Sequence, residues 1–497
     1  MTGLFGALAL DRSLTSLLAR WRDLSSAAGF LAQAPSTPDL APGDLDMLAG
    51  AMRESLEARG GEVSARARAA ALGQVYLKLS TLGRCRFLGL LARDFGADPR
   101  ALSDAARRYL EAASTEQRAE AERALREAAE APRVRLLTRF TSLPAGVKFL
   151  VDMRTDLLAM QGDDPVLRAL DWDLRHLLAT WFDVGFLELR RITWDSPASL
   201  LERLVTYEAV HEVRSWSDLK NRLDADRRVY AFFHPRMPGE PLIFVQVAFT
   251  RGIADNVQTL LDETAPVLDP RAADTAIFYS ITNTQEGLRG ISFGNFLIKR
   301  VVDDLGAEFP GIEVFSTLSP VPGFLRWLRR LDQGAVAQAA GLVEEDAEAL
   351  APLLAVPDWQ QDPQLAEALR EPLLRLCARY IAGPGAETGK EVQASAFDPV
   401  ARFHLGNGAR VERLNWLGDT SPKGMRQSAA IMVNYRYESG EIERNHERFA
   451  ATHAVALSPA VEKLLRPVRR RRPAGLARLL QQRQPDPQPD PTAHESV

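Results

Sequence analysis

Through the first third of the chain, apolar residues recur at helical intervals, and no run alternates with the period of two that a half-buried strand needs. From Leu40 to Trp181 the residues are mostly Ala, Leu, Arg and Glu, so this stretch is predicted to be helical. Ser114-Thr115-Glu116-Gln117 fits a capping box, with a helix continuing from Ala119 to Ala131. Ala34 to Asp39, with two prolines and short polar side chains, reads as a loop ahead of it. Near Trp181 the pattern changes. Arg228–Phe233 and Leu242–Phe249 are strand-like and flank Pro235–Pro241, which predicts a hairpin with a long turn. Thr275–Thr282 is β-branched and aromatic, as a buried strand requires. Gly287 and Gly290 then allow a turn, and Phe293, Phe296, Leu297, Val301 and Leu305 follow at helical spacing before a second strand at Phe315. Residues 344 to 381 read as helix broken at Pro352, Pro357, Pro363 and Pro372, and a second hairpin pairs Ala409–Leu414 with Ser428–Tyr435. The fold class is α+β: an all-helical N-terminal domain over residues 1–180, followed by a mixed-sheet domain over residues 181–460.

At 497 residues the chain exceeds one ordinary core, which agrees with two domains. A hydrophobic fraction of 46% and a charged fraction of 25% are those of a globular protein. With 61 basic against 65 acidic residues the formal net charge is −4, so no global field favours nucleic acid, and any phosphate recognition must be local. Cys85 and Cys377 lie in separate apolar stretches and suit packed thiols in a reducing compartment. Neither a signal peptide nor an apolar run of about twenty residues is present, and the expectation is a cytoplasmic protein without a membrane partner. Residues 461–497 are rich in arginine and proline and are expected to form a disordered, solvated tail.

Candidate chemistry gathers at three places. Arg289-Gly290-Ile291-Ser292-Phe293-Gly294-Asn295 precedes the predicted helix, with Lys299 and Arg300 just inside it. A helix that starts after a glycine-rich loop turns unpaired N–H groups and its positive dipole end toward an anion. The loop lacks the GK[ST] of a P-loop and the G-x-G-x-x-G of a dinucleotide fold, so alone it also fits plain structural punctuation. Ser319 ends a strand before Pro320, which restricts the backbone around it, and without a G-x-S-x-G elbow it is as readily a turn serine as a reactive group. His404 stands between Phe403 and a glycine-rich turn, where a histidine can reach a cleft or simply hold the structure. The seven histidines form no HxxxH or HExxH pair, so a metal site has no support.

Several ordered blocks point further. Ala209-Val210-His211, Pro238-Gly239-Glu240-Pro241-Leu242, Ala276–Ile281, Phe296–Val302, Leu318–Phe324, Phe403-His404-Leu405, Asn407-Gly408-Ala409 and Asn434-Tyr435-Arg436-Tyr437 together resemble the malonyl-CoA decarboxylase family. The resemblance is strong from Trp181 to Tyr437 and looser in the helical half. It implies a helical oligomerisation domain, expected as a homotetramer, and a catalytic domain similar to the GNAT acetyltransferase fold. It also implies malonyl-CoA and acetyl-CoA as ligands and no cofactor. The loop at 289–295 corresponds to the family's CoA pyrophosphate site, Ser319 to its catalytic serine and His404 to its catalytic histidine. Ser292 stands where the family pattern carries a glutamate. Asn415, Tyr435 and Arg436 are candidates for the same cleft, with ordinary sheet packing the stronger reading for each. The alternatives are a CoA-dependent acyltransferase on the same fold and a catalytically silent CoA-binding scaffold.

Overall fold

The structure is a computed structural model and describes residues 17–26, 35–57, 61–182, 184–291, 297–340, 342–383, 398–466 and 475–482. Eight helices run from Pro42–Leu56 to Pro165–Ala179. Their ends follow the local sequence: Ser114 accepts from the Gln117 N–H in the expected capping box, and Asp164 accepts from the Val166 N–H ahead of the last helix. Trp21, Tyr76, Phe87 and Phe149 form an edge-to-face aromatic cluster in this half, with Phe140 tilted against Phe149. No described helix is long and apolar enough to cross a membrane.

The second half is built on one mixed sheet of eight strands. These are β1 (Glu188–Ile192), β2 (Arg227–Phe233), β3 (Pro241–Thr250), β4 (Thr275–Asn283), β5 (Val314–Thr317), β6 (Ser319–Pro320), β7 (Arg410–Asn415) and β8 (Met432–Tyr437). β1 to β4 form an antiparallel meander, and β4 then pairs in parallel with β5 across the helix Leu297–Glu308. A register shift between Gln246 and Val247 kinks β3 against β4. β5 and β6 both pair with β8, interrupted at Leu318, whose N–H still reaches Phe278 of β4.

Three expectations need correction. Ser428 is not in a strand: it ends the helix Pro422–Ser428, and β8 begins only at Met432. Pro352 and Pro372 do not break their helices, Glu344–Leu354 and Pro363–Ala382. Each proline removes one backbone hydrogen bond, and buried leucines on both sides, Leu369, Leu373 and Leu376 around Pro372, hold the helix together. Within the tail, Leu476–Gln481 is a helix rather than disordered chain; Leu476 is fully buried and the Ala477 N–H donates to Asp346 at 2.9 Å.

The two halves share one hydrophobic core. The helix Gly146–Met160 lies against the 3₁₀ turn Glu286–Leu288 that leaves β4. Only glycine fits at 287, because a Cβ there would stand 1.9 Å from the Val151 carbonyl oxygen. Arg154, on that helix and 2% exposed, donates to the Gly287 oxygen at 2.7 Å and the Arg289 oxygen at 2.9 Å, and pairs with Asp171 at 2.7 Å.

Candidate active site

The interrupted edge between β5 and β6 turns Thr317 and Ser319 to the same side, since side chains two apart in a strand share a face. His404 arrives from the helix Pro399–Gly406. Asp398 fixes both parts. One carboxylate oxygen caps that helix through the Val400 and Ala401 N–H groups, and the other accepts from the Gly323 N–H at 3.0 Å and the Tyr380 hydroxyl at 3.1 Å. Gly323 has no room for a side chain, as a Cβ would stand 2.0 Å from the Tyr380 oxygen. Burial raises the Asp398 carboxyl above its ordinary range, against the pull of these N–H donors.

His404 is 3% exposed and has a hydroxyl at each ring nitrogen. Nε2 lies 3.0 Å from Ser319 Oγ and Nδ1 lies 2.8 Å from the Tyr437 hydroxyl. Ser319 Oγ also donates to Thr317 Oγ1 at 2.9 Å, which accepts in addition from the Tyr435 N–H. The imidazole stacks on Tyr435, with centroids 4.6 Å apart and planes 22° from parallel. Desolvation pushes its pKa down to about 3, so the free protein holds a neutral imidazole near neutral pH. The same burial raises the Tyr437 phenol, which therefore stays protonated.

The structure thus brings Ser319 and His404, 85 residues apart in sequence, into one hydrogen-bonded pair. Tyr437 was not singled out as a site residue, although it lies two positions after the candidate Tyr435 on the same face of β8. Asn415 ties to Asn434 at 2.8 Å, whose amide reaches the Thr317 carbonyl, so its part is to brace β8. Arg436 is half-buried and lies 3.9 Å from Glu412. Of the loop, Arg289, Gly290 and Ile291 are seen: Arg289 extends toward Glu286 at 3.9 Å, Gly290 has φ +78° and Ile291 is buried. Ser292, Phe293, Gly294 and Asn295 lie outside the described residues.

A second polar cluster stands on β4, two residues beyond the Phe278 that faces Thr317. Buried Glu208 accepts from Ser280 Oγ at 2.8 and 2.9 Å, from the Gln246 amide, and from the Val210 and His211 N–H groups. The Tyr279 hydroxyl donates to Gln246 Oε1 at 3.0 Å. Sequence reading missed Glu208; the signal available was an acid directly before the Ala209-Val210-His211 block.

A family model described as the malonyl-CoA decarboxylase C-terminal domain matches residues 185–474, and one described as the malonyl-CoA decarboxylase N-terminal domain matches residues 95–182. The chain belongs to the malonyl-CoA decarboxylase family. The mitochondrial malonyl-CoA decarboxylase of Anser anser anser is 39% identical over 406 residues, covering 76% of this chain and 79% of that one. Its counterpart in Rattus norvegicus is 38% identical over 410 residues, covering 77% and 82%. The crystal structure of malonyl-CoA decarboxylase from Rhodopseudomonas palustris superposes with a TM-score of 0.75 at 43% identity, over 84% of this chain and 99% of that one. The Agrobacterium vitis structure gives the same score and identity, over 84% and 100%. As a member of the malonyl-CoA decarboxylase family the chain is a carboxy-lyase, with Ser319 and His404 both inside the C-terminal match.

Proposed function

We propose that this protein converts malonyl-CoA to acetyl-CoA and CO₂, with Ser319 and His404 as the catalytic pair and the loop at 289–295 holding the CoA pyrophosphate. The observation that carries the reading is the buried His404 with Ser319 Oγ 3.0 Å from one nitrogen and the Tyr437 hydroxyl 2.8 Å from the other. Loss of CO₂ leaves its bonding electrons on the α-carbon as a thioester enolate, which an enzyme must stabilise and then protonate. A malonyl carboxylate entering this site brings a negative charge beside the imidazole and raises its pKa, so His404 takes up a proton only when substrate is bound. As CO₂ departs, the charge moves to the enolate oxygen, and the Ser319 hydroxyl turns its proton from Thr317 Oγ1 to that oxygen. His404 then delivers its proton to the α-carbon, and acetyl-CoA leaves a neutral ring behind. The proton taken from solvent balances the carboxylate lost as CO₂.

Incubating the pure protein with malonyl-CoA and no acceptor should yield acetyl-CoA and CO₂ in equal amounts. Free CoA appearing only when an amine is supplied would replace this reading with acyl transfer, and saturable CoA binding without product would replace it with a scaffold. His404→Asn should lower turnover by about 10²- to 10⁴-fold, the range for loss of a general acid. Residues 1–180 serve self-association, with a homotetramer as the expected assembly; Val63, Leu110 and Trp172, all large and exposed on that half, support it. Sedimentation as a monomer at assay concentration would overturn that part.

A further inference from the structure

We propose that Arg175, a residue of the helical half, contacts a phosphate of the CoA nucleotide, so that this half of the chain forms one wall of the ligand site. The inference rests on the CoA reading of the 289–295 loop given above.

Three observations carry it. First, the chain entering the loop, from Gly287 to Arg289, is fixed to the helical half and not merely near it. Buried Arg154 bonds the carbonyl oxygens of Gly287 and Arg289 and also Asp171, which lies one turn before Arg175 on the helix Pro165–Ala179. The spacing between Arg175 and the loop is therefore set by a buried ion pair and two charge-assisted hydrogen bonds. Second, the Arg175 guanidinium stands over the loop's glycine: a Cβ on Gly290 would lie 3.9 Å from both its Cζ and its Nε. Third, Arg175 is exposed and makes no ion pair or hydrogen bond among the described residues, whereas Arg168, two turns earlier on the same helix, pairs with Asp163. Arg289, next to Gly290 in the chain, is exposed and reaches Glu286 at 3.9 Å. The Arg175 guanidinium thus stands beside a residue without a side chain, and a planar fork of N–H donors is suited to phosphate oxygens.

Full-length wild type and Arg175→Ala are to be compared on malonyl-CoA, malonyl-(3′-dephospho)-CoA and malonyl-pantetheine. Arg175→Ala should raise KM for malonyl-CoA about tenfold, as expected for one lost charge-assisted contact, with kcat within about twofold of wild type. Its KM for malonyl-pantetheine, which has no phosphate, should be unchanged, and Arg175→Lys should recover part of the loss. A rise on both nucleotide substrates assigns the contact to the pyrophosphate, and a rise on malonyl-CoA alone assigns it to the 3′-phosphate. An unchanged KM for malonyl-CoA, or an equal rise on malonyl-pantetheine, overturns the proposal while leaving the loop assignment intact. Wild type that uses malonyl-CoA and malonyl-pantetheine with equal kcat/KM overturns the loop assignment itself.

Discussion

Replacing Tyr437 with Phe removes one oxygen atom and leaves the aromatic ring, with its edge contact to Phe278, in place. That oxygen is 2.8 Å from His404 Nδ1, and both side chains are buried. A tyrosine hydroxyl both donates and accepts, so it serves the neutral ring as donor and the imidazolium as acceptor. In the substrate-bound state the bond carries charge and contributes roughly 1.5–3 kcal/mol, which at about 1.4 kcal/mol per decade is a fall in kcat of about 10- to 150-fold. The folded state also loses about 1–3 kcal/mol, because Nδ1 is left buried without a partner. KM for malonyl-CoA should hold, since the hydroxyl lies on the ring edge away from Ser319. The assay is initial-rate formation of acetyl-CoA over a range of malonyl-CoA concentrations, with urea unfolding run beside it. A kcat within twofold of wild type, or a loss confined to KM, would refute the role given to Tyr437 and to the orientation of His404.

Three further outcomes are expected. His404 has a folded-state pKa near 3 against an unfolded value near 6.5, so between those pH values the unfolded chain binds the extra proton and stability falls with acidification; the stability margin of wild type over His404→Asn should shrink by roughly 1.4 kcal/mol per pH unit below about 6.5, and a margin that is flat from pH 7 to 5 contradicts the buried neutral ring. Gly287→Ala forces a methyl to within 1.9 Å of the Val151 carbonyl and should lower stability by about 1–3 kcal/mol through overpacking between the two halves, with thermal unfolding unchanged from wild type as the contrary result. Glu208→Ala leaves the Gln246 amide and two backbone N–H groups without their acceptor and should cost at least about 2 kcal/mol, whereas a loss below about 0.5 kcal/mol in chemical denaturation would mean the cluster rearranges freely.

The parts of this fold that the sequence discloses are those encoded locally. Continuous β-branched and aromatic runs locate β2, β3 and β4, and the capping box at Ser114 starts its helix where expected, because each depends on neighbours within a few residues. Ser319 and His404 were recognisable through their flanking blocks, but nothing local says that their side chains meet. That contact requires β8 to pair with β6 and Asp398 to hold both segments. Tyr437, present only within a matching block, and Glu208 do not stand out as site residues for the same reason: a tyrosine in a strand and a glutamate at a helix end look ordinary until the chain closes around them. Pro352 and Pro372 misled in the opposite direction, since the local rule against proline in helices is overridden here by tertiary packing. The helix Leu476–Gln481 was hidden by the arginines and prolines around it, and its buried Leu476 gains a reason only from the partner surface near Asp346.

Asp398 joins the turn after Ser319 to the start of the helix that bears His404. The serine and the histidine therefore behave as a single mechanical part, although the helices from Phe324 to Ala382 separate them in the chain. The intervening stretch is tied into the same junction, because its Tyr380 hydroxyl donates to the Asp398 oxygen that also accepts from the Gly323 N–H. A disturbance at that one carboxylate therefore reaches the serine and the histidine together.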